Sequence, residues 1–467
     1  MRLTDLAGRS ILILGLGREG LSTYRYVRSA FPATVVGLAD QAEAERLDPA
    51  IQQILRDDVA LRLHAGSEYL VGAADYDVIV RTPGIRPDLP ELVAARARGT
   101  RVTSQTALFL AECGDRVVGI TGTKGKSTTT SLIFAALRAG GLDVELVGNI
   151  GRPSLSYLVD DRPTKVYVYE LSSYQLADVE HSPHVAVLLD VVPEHLNYHG
   201  TFESYLAAKS NITRFQSNRD YLVYNPDFAT PSSVARSSSA QLLSFRVGQP
   251  VEHGGYTTGD DFWLAQPGQR LERVLTRADV PLLGEHNVLN VLAAVTAAKA
   301  MRVPSERIAE GIRSFQPLEH RLEPVGTYRG VAFYNDSLAT VPEAAMAAMR
   351  AIGSGAKTLI LGGFDRGLDF SELGRAILEH GARTLILFPT TGRSIEQAVQ
   401  AAAGPDGELP AMFHVESMEV AVRLAYEHTQ PGEACLMSPA SPSFNIFRDY
   451  RERGEAFKEL VRRLGST

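Results

Sequence analysis

The stretch Arg116-Val-Val-Gly-Ile-Thr-Gly-Thr-Lys-Gly-Lys-Ser-Thr-Thr-Thr130 constrains this chain more than any other. Val117, Val118 and Ile120 read as the end of a buried strand, and Thr128 to Leu137 runs on as an apolar helix. Gly122 and Gly125 let the backbone turn tightly between them. A strand, a glycine turn and a helix N-terminus in that order aim backbone N–H groups at an anion. Lys126 supplies a charge for β/γ-phosphates, and the Ser127 hydroxyl stands where a magnesium ligand belongs. The strict phosphate-loop spacing asks for glycine at position 120, where Ile120 stands, so this loop is a variant. The bland alternative is a chance glycine-rich turn. Glycines, lysine and hydroxyl together after a strand favour an ATP site formed by Gly122, Thr123, Lys124, Gly125, Lys126, Ser127 and Thr128.

A chain of 467 residues exceeds one hydrophobic core, and a size of roughly 100–200 residues per domain gives about three. The expected domains are 1–101, 102–317 and 318–467. A net charge of -7 argues against a nucleic-acid-binding surface. Cys113 and Cys435 lie far apart and read as reduced structural residues. No apolar run approaches the ~20 residues needed to span a bilayer, and the N-terminus shows no cleavable signal pattern. A cytoplasmic protein is expected, without nucleic acid or a membrane span, and as a monomer.

Along the chain, Ser10 to Leu14 leads into Gly15-Leu-Gly-Arg-Glu-Gly20, with Asp40 about 20 residues further on at a strand end, as in a dinucleotide fingerprint. Three readings stay open there: NAD, the pyrophosphate of a UDP-sugar, or a turn with no ligand. Tyr76 to Val80 is a second strand-like run, and Arg101 to Glu112 reads as a connecting helix. After the ATP loop, Val144–Val147, Lys165–Tyr169, Val185–Leu189 and Tyr221–Tyr224 alternate with helical patterns, which predicts a parallel sheet with helices on both faces. Ser232 to Gln241 reads as a serine-rich surface loop and Asp260 to Val280 as a small antiparallel excursion around Trp263. Leu283 to Asn290 opens an alanine-rich helix ending near Ala300. Beyond Pro317, Val331–Tyr334, Thr358–Leu361, Thr384–Leu387 and Ala434–Met437 are strands of a further α/β unit. The fold class is α/β in three domains: Rossmann-like, a central P-loop-type ATPase domain on a parallel sheet, and Rossmann-like again.

Glu170 closes a strand beside the phosphate loop, where a carboxylate suits a magnesium ion better than a merely solvated role. His195, in Val191-Val-Pro-Glu-His-Leu-Asn-Tyr-His199, could ligate a second cation, position a phosphate or bond only to backbone. Composition alone makes Lys209 an ordinary surface lysine. Asn287 and Asn290 share a helix face suited to a base or ribose. Arg321 reads either as a phosphate contact or as an interdomain salt bridge.

Gly122 to Thr128, Gly148-Asn-Ile-Gly151, Glu170-Leu-Ser-Ser173, Glu194-His195, His286-Asn287, His320-Arg321 and Asn335-Asp-Ser337 together resemble the Mur ligases, the ATP-dependent amino-acid ligases of peptidoglycan precursor synthesis, to which folylpolyglutamate synthetase is related. The glycine turn at Ile11 to Gly20 and the Ser-Pro-Ala segment in Ser438 to Ser443 resemble the branch that joins glutamate to UDP-N-acetylmuramoyl-L-alanine. The Asp-Asn-Pro-Arg motif of the branch that adds a diamino acid does not occur here. The resemblance implies that Gly17, Arg18, Asp40, Asn149 and Ser172 hold the UDP substrate. It implies that Lys126, Ser127, Thr128, Asn287, Asn290, Arg321 and Asp336 hold ATP, and that Ser127, Glu170 and His195 hold two Mg2+ ions. Lys126, His195 and Lys209 would be catalytic, with Lys209 carbamylated, because a plain ammonium repels a metal that a carbamate anion supports. Thr340, Arg366, Ser443 and Tyr450 match glutamate-binding positions.

The chain departs from that family at three places. Leu338 stands where lysine usually follows the Asp-Ser pair, Arg366 replaces a glutamate-clamping lysine, and Ser441-Pro-Ser-Phe444 surrounds Ser443. Arginine can still grip a carboxylate, and bidentately. These positions leave D-glutamate ahead of L-glutamate, which a subgroup of similar ligases uses. An NAD oxidoreductase would leave the ATP loop unexplained. A non-catalytic scaffold would make Glu170, His195 and Lys209 accidental, and a folylpolyglutamate-type ligase would lack a separate UDP-binding domain.

Overall fold

The computed structural model describes residues 1–466 and holds three sheets. The first runs in the order β3-β2-β1-β4-β5, from β1 (Ile11–Leu14), β2 (Val36–Asp40), β3 (Arg62–Ala65), β4 (Val78–Arg81) and β5 (Arg101–Ser104). All of its pairs are parallel. β1 and β4 are buried along their whole length, as strands covered on both faces must be. The order reverses at β1, so the Gly15–Gly20 turn lies at the switch point where α/β sheets take their ligands.

Arg101–Ser104 corrects the expected connecting helix. These residues pair with β4, and Ser104 then caps the helix Gln105–Cys113 by accepting from the Ala107 N–H. Val102 and Thr103 are β-branched and fit a pleated edge, which outweighed the apolar pattern downstream. The first sheet thus extends to Ser104.

The central sheet has nine strands in the order β14-β13-β12-β11-β10-β9-β6-β8-β7. These are β6 (Val117–Thr121), β7 (Val144–Gly148), β8 (Val166–Glu170), β9 (Val185–Leu188), β10 (Tyr221–Tyr224), β11 (Gln241–Arg246), β12 (Gly254–Thr258), β13 (Asp261–Ala265) and β14 (Glu272–Thr276). Pairing is parallel from β7 to β12 and antiparallel from β12 to β14. The excursion around Trp263 is therefore a hairpin extension of the same sheet. The expected surface loop 232–241 is shorter than predicted: the helix Ala229–Ala235 takes its start, and Val234 and Ala235 are buried. The chain leaves β6 towards β7 and β8 on one side and towards β9 on the other, so the glycine turn after β6 is this sheet's switch point.

The last sheet runs β15-β16-β20-β17-β18-β19, from β15 (Glu323–Tyr328), β16 (Val331–Asn335), β17 (Ala356–Gly362), β18 (Thr384–Phe388), β19 (Ala411–His414) and β20 (Ala434–Met437). Only the β15–β16 pair is antiparallel. The three sheets lie in two compact units. Met1–Val280 with Val288–Phe315 carries the first two sheets, and Pro281–Asn287 with the chain from Gln316 onward carries the last. No helix among the described residues is long and apolar enough to cross a membrane.

Candidate active site

The turn after β6 needs its glycines. Gly122 has φ +152°, and a Cβ there would lie 2.6 Å from the Leu189 Cβ. Gly125 has φ +84°, and its Cβ would lie 2.5 Å from Asn290 Oδ1. The helix Lys126–Ala139 begins immediately after, with Gly125 at its N-cap. Lys126 Nζ curls back and donates to the carbonyls of Gly122 at 3.0 Å and Thr123 at 2.9 Å. Lys124 points outward and pairs with Glu194 at 2.7 Å. Asn290 accepts from the Thr129 hydroxyl at 3.2 Å, so the helix Glu285–Ala300 packs on the phosphate-loop helix.

A cavity of about 480 Å³ opens beside this turn. It brings together Lys126, Asn149, Glu170, Ser172, His195 and Lys209 of the expected residues. Ser127, Gly17, Arg18 and Asp40 do not line it. Arg18 donates to the Gly151 carbonyl at 3.1 Å, and both Asp40 oxygens accept backbone N–H groups, from Leu16 at 2.8 Å and Ala42 at 2.9 Å.

Glu170 is the last residue of β8 and is 3% exposed. Its Oε2 is buried without a hydrogen-bond partner, an arrangement costing on the order of 1–3 kcal/mol. An orphaned carboxylate oxygen beside a phosphate loop fits a hard divalent cation, and so does its oxygen chemistry. His195 is held at φ +56°, and its half-exposed ring lies 5.1 Å from Tyr174. Burial pushes its pKa down, ahead of the opposing effect of Glu194, and favours the neutral ring that binds metals.

Lys209 overturns the surface reading that composition gives. It is 1% exposed, and its Nζ donates to the Gly122 carbonyl at 2.8 Å and Thr121 Oγ1 at 3.3 Å, over the Tyr205 ring at 4.8 Å. Burial first, and then repulsion from Lys126, push its pKa well below the ordinary lysine value.

In the second unit, Asp336 follows β16 and accepts from Ser438 Oγ at 2.7 Å and the Leu322 N–H at 3.0 Å. Burial pushes its carboxyl up to about 6. Arg321 Nε is buried without a partner, and the Tyr450 ring meets the His320 ring edge-on at 5.8 Å. Arg366 is exposed, with its guanidinium 5.6 Å from the Phe444 ring. Ser443 is buried, while Thr340 is half-buried. Asn287 is buried and donates to the Leu283 carbonyl at 2.6 Å.

The chain matches the models of the Mur ligase MurD-like N-terminal domain over residues 9–104, the Mur ligase middle domain over 120–298 and the Mur ligase glutamate ligase domain over 320–441. It is 37% identical to the UDP-N-acetylmuramoylalanine–D-glutamate ligase of Symbiobacterium thermophilum, covering 97% of each chain. It is 35% identical to the enzyme of that name from Acidobacterium capsulatum, covering 98% of this chain and 97% of the relative. The chain belongs to the Mur ligase family.

The fold agrees. A solved MurF ligase from Thermotoga maritima in complex with ADP superposes with a TM-score of 0.58 at 15% identity, over 99% of this chain and 97% of the other. Within this Mur ligase, the cavity also takes in residues that sequence reasoning passed over. Glu19 of the first glycine turn lines it, with Oε1 accepting from Gln175 Nε2 at 2.9 Å and Oε2 buried without a partner. An acid inside an expected phosphate turn was the signal available for it. Tyr174 and Tyr205 line the cavity too; nothing in their helices marked them.

Proposed function

We propose that this Mur ligase is the ADP-forming enzyme that joins D-glutamate to UDP-N-acetylmuramoyl-L-alanine, a cytoplasmic step of peptidoglycan precursor synthesis. The observation that carries the reading is the cavity in which Lys126, Glu170, His195 and Lys209 converge at the carboxyl ends of β6, β8 and β9. The names and near-full-length match of the relatives support the substrates.

In this reading the alanyl carboxylate attacks the γ-phosphorus of ATP, ADP leaves, and an acyl phosphate forms. The glutamate amine then attacks the acyl carbon, and phosphate leaves from the tetrahedral intermediate. Lys126 and the N–H groups of the glycine turn neutralise the charge that gathers on the transferring phosphoryl group. Glu170 and His195, with Ser127, would hold magnesium, which neutralises phosphate charge when bound. Burial, and then repulsion from Lys126, push the Lys209 amine towards its neutral form, the form that can add to carbon dioxide. The nitrogen bonds to the carbon and releases a proton, and the resulting carbamate is an anion beside the metal ligands. Gly17, Arg18, Asp40, Asn149 and Ser172 serve the UDP substrate. Asn287, Asn290, Arg321 and Asp336 serve ATP, and Thr340, Arg366, Ser443 and Tyr450 serve glutamate. Leu338 and Arg366 are the residues that favour the second reading, L-glutamate.

The deciding experiment measures ADP release from Mg-ATP and UDP-N-acetylmuramoyl-L-alanine with D- and L-glutamate in parallel. Turnover with the D isomer alone is expected. Turnover with the L isomer alone would transfer the assignment to the second reading, and turnover with neither would sink both.

A further inference from the structure

Arg453 lies near the start of the helix Tyr450–Gly465 and is 2% exposed. Its guanidinium donates from Nε to Ser337 Oγ at 3.0 Å, from Nη2 to the Ser337 carbonyl at 2.8 Å and from Nη1 to the Ser441 carbonyl at 3.0 Å. All three acceptors are neutral. Among the described residues no carboxylate pairs with Arg453 within ion-pair distance, and Asp336 supplies the opposing charge from further away. A buried cation without an ion pair is costly, and a neutral side chain could fill the same space. What a guanidinium adds is a rigid planar fork that fixes its acceptors relative to one another.

Those acceptors sit on the loops that carry the expected binding residues of the second unit. Ser337 follows Asp336 at the end of β16. Ser441 lies two residues before Ser443. Ser441 Oγ bonds Thr391 Oγ1 at 2.7 Å, and Thr391 Oγ1 accepts the Gly363 N–H at 3.0 Å, at the root of the loop that carries Arg366. The Phe364 N–H reaches the Pro442 carbonyl at 2.8 Å. The junction has no slack: a Cβ on Gly363 would meet the Pro442 oxygen at 2.2 Å and Arg453 Nη1 at 3.2 Å.

We infer that Arg453 is a positioning residue for the amino-acid pocket. Through its three hydrogen bonds it sets the spacing of the Asp336, Ser443 and Arg366 loops, and through that spacing the affinity for glutamate. The inference rests on the glutamate reading above.

The test compares Arg453→Lys, which keeps the charge and loses the fork, with the wild type. KM for glutamate should rise by about tenfold or more, with kcat within about threefold and KM for the UDP substrate unchanged. In Arg453→Ala, added guanidinium chloride should recover part of the glutamate KM; if that variant does not fold, the lysine variant decides. Hydrogen exchange on the unliganded protein should quicken in 337–341, 363–367 and 441–446 and stay unchanged in the first sheet. A folded Arg453→Lys protein with KM for glutamate within twofold of wild type would overturn the inference, whether or not exchange changes. If the wild type turns over no glutamate, the functional reading fails, and unchanged exchange in those loops would then overturn the role of Arg453.

Discussion

The phosphate-loop cavity and the loops at the end of the last sheet use opposite means to hold the residues proposed to act there. In the first, charged side chains are themselves buried: Lys209 and Glu170 are nearly inaccessible, and one Glu170 oxygen has no partner. In the second, Arg366 is exposed beside two exposed aromatic rings, Phe364 and Phe444, and the buried Arg453 lies beneath the loops. Chemistry that develops charge profits from desolvated groups fixed on strand ends. Recognition of a small amino acid can be carried by surface side chains if the loops beneath them are fixed. Change is therefore tolerated unequally: side chains can be exchanged in the second region more readily than in the first.

Four substitutions put that contrast to the test. Lys126→Ala should lower kcat by roughly 10³-fold or more while far-UV circular dichroism stays unchanged. A wild-type rate would remove the loop from the mechanism. Lys209→Ala should cost about 10²-fold or more, and added formate or acetate should restore part of the rate as a replacement anion. Loss without any rescue would leave packing, and not a carbamate, as the role of Lys209. Arg366→Ala should raise KM for glutamate by about 10- to 100-fold with little change in kcat, while Arg366→Lys should stay within roughly tenfold. A kcat collapse in the alanine variant would contradict the division between the two regions.

The smallest effect concerns pH. The Asp336 carboxyl at about 6 lies above its value in an unfolded chain. The folded protein therefore holds that proton more tightly, and the stabilisation is complete at low pH and lost as pH rises through the folded value. Asp336→Asn cannot ionise, so it should gain about 1–3 °C in Tm relative to wild type between about pH 4 and pH 7.5. A Tm difference that does not vary with pH would contradict the buried carboxyl.

The same contrast explains what the sequence made legible. The glycine turn, Lys126 and the strand-end Glu170 were readable because strand, turn and helix are local patterns. Lys209 was legible only through the resemblance to a family, since nothing within the helix Phe202–Arg214 says that its lysine points under a neighbouring turn. β3, β5 and β19 escaped as short sheet-edge strands with partly exposed residues. Arg453 escaped because its partners lie 12 to 116 residues away, and one arginine in a charged helix carries no mark of burial. Arg366 was proposed only through resemblance to a family, since an exposed loop arginine looks like any other.

The unpartnered Glu170 oxygen bears on how this protein would respond to selection. A group kept for chemistry at the expense of stability is improved, in a purely thermal contest, by removing it. Glu170→Gln or a hydrophobic residue at position 209 should melt higher than the parent while losing most of its activity. Libraries enriched for heat resistance alone would drift towards poorly active proteins at these two positions, so any breeding scheme for this scaffold needs growth or turnover as a second filter.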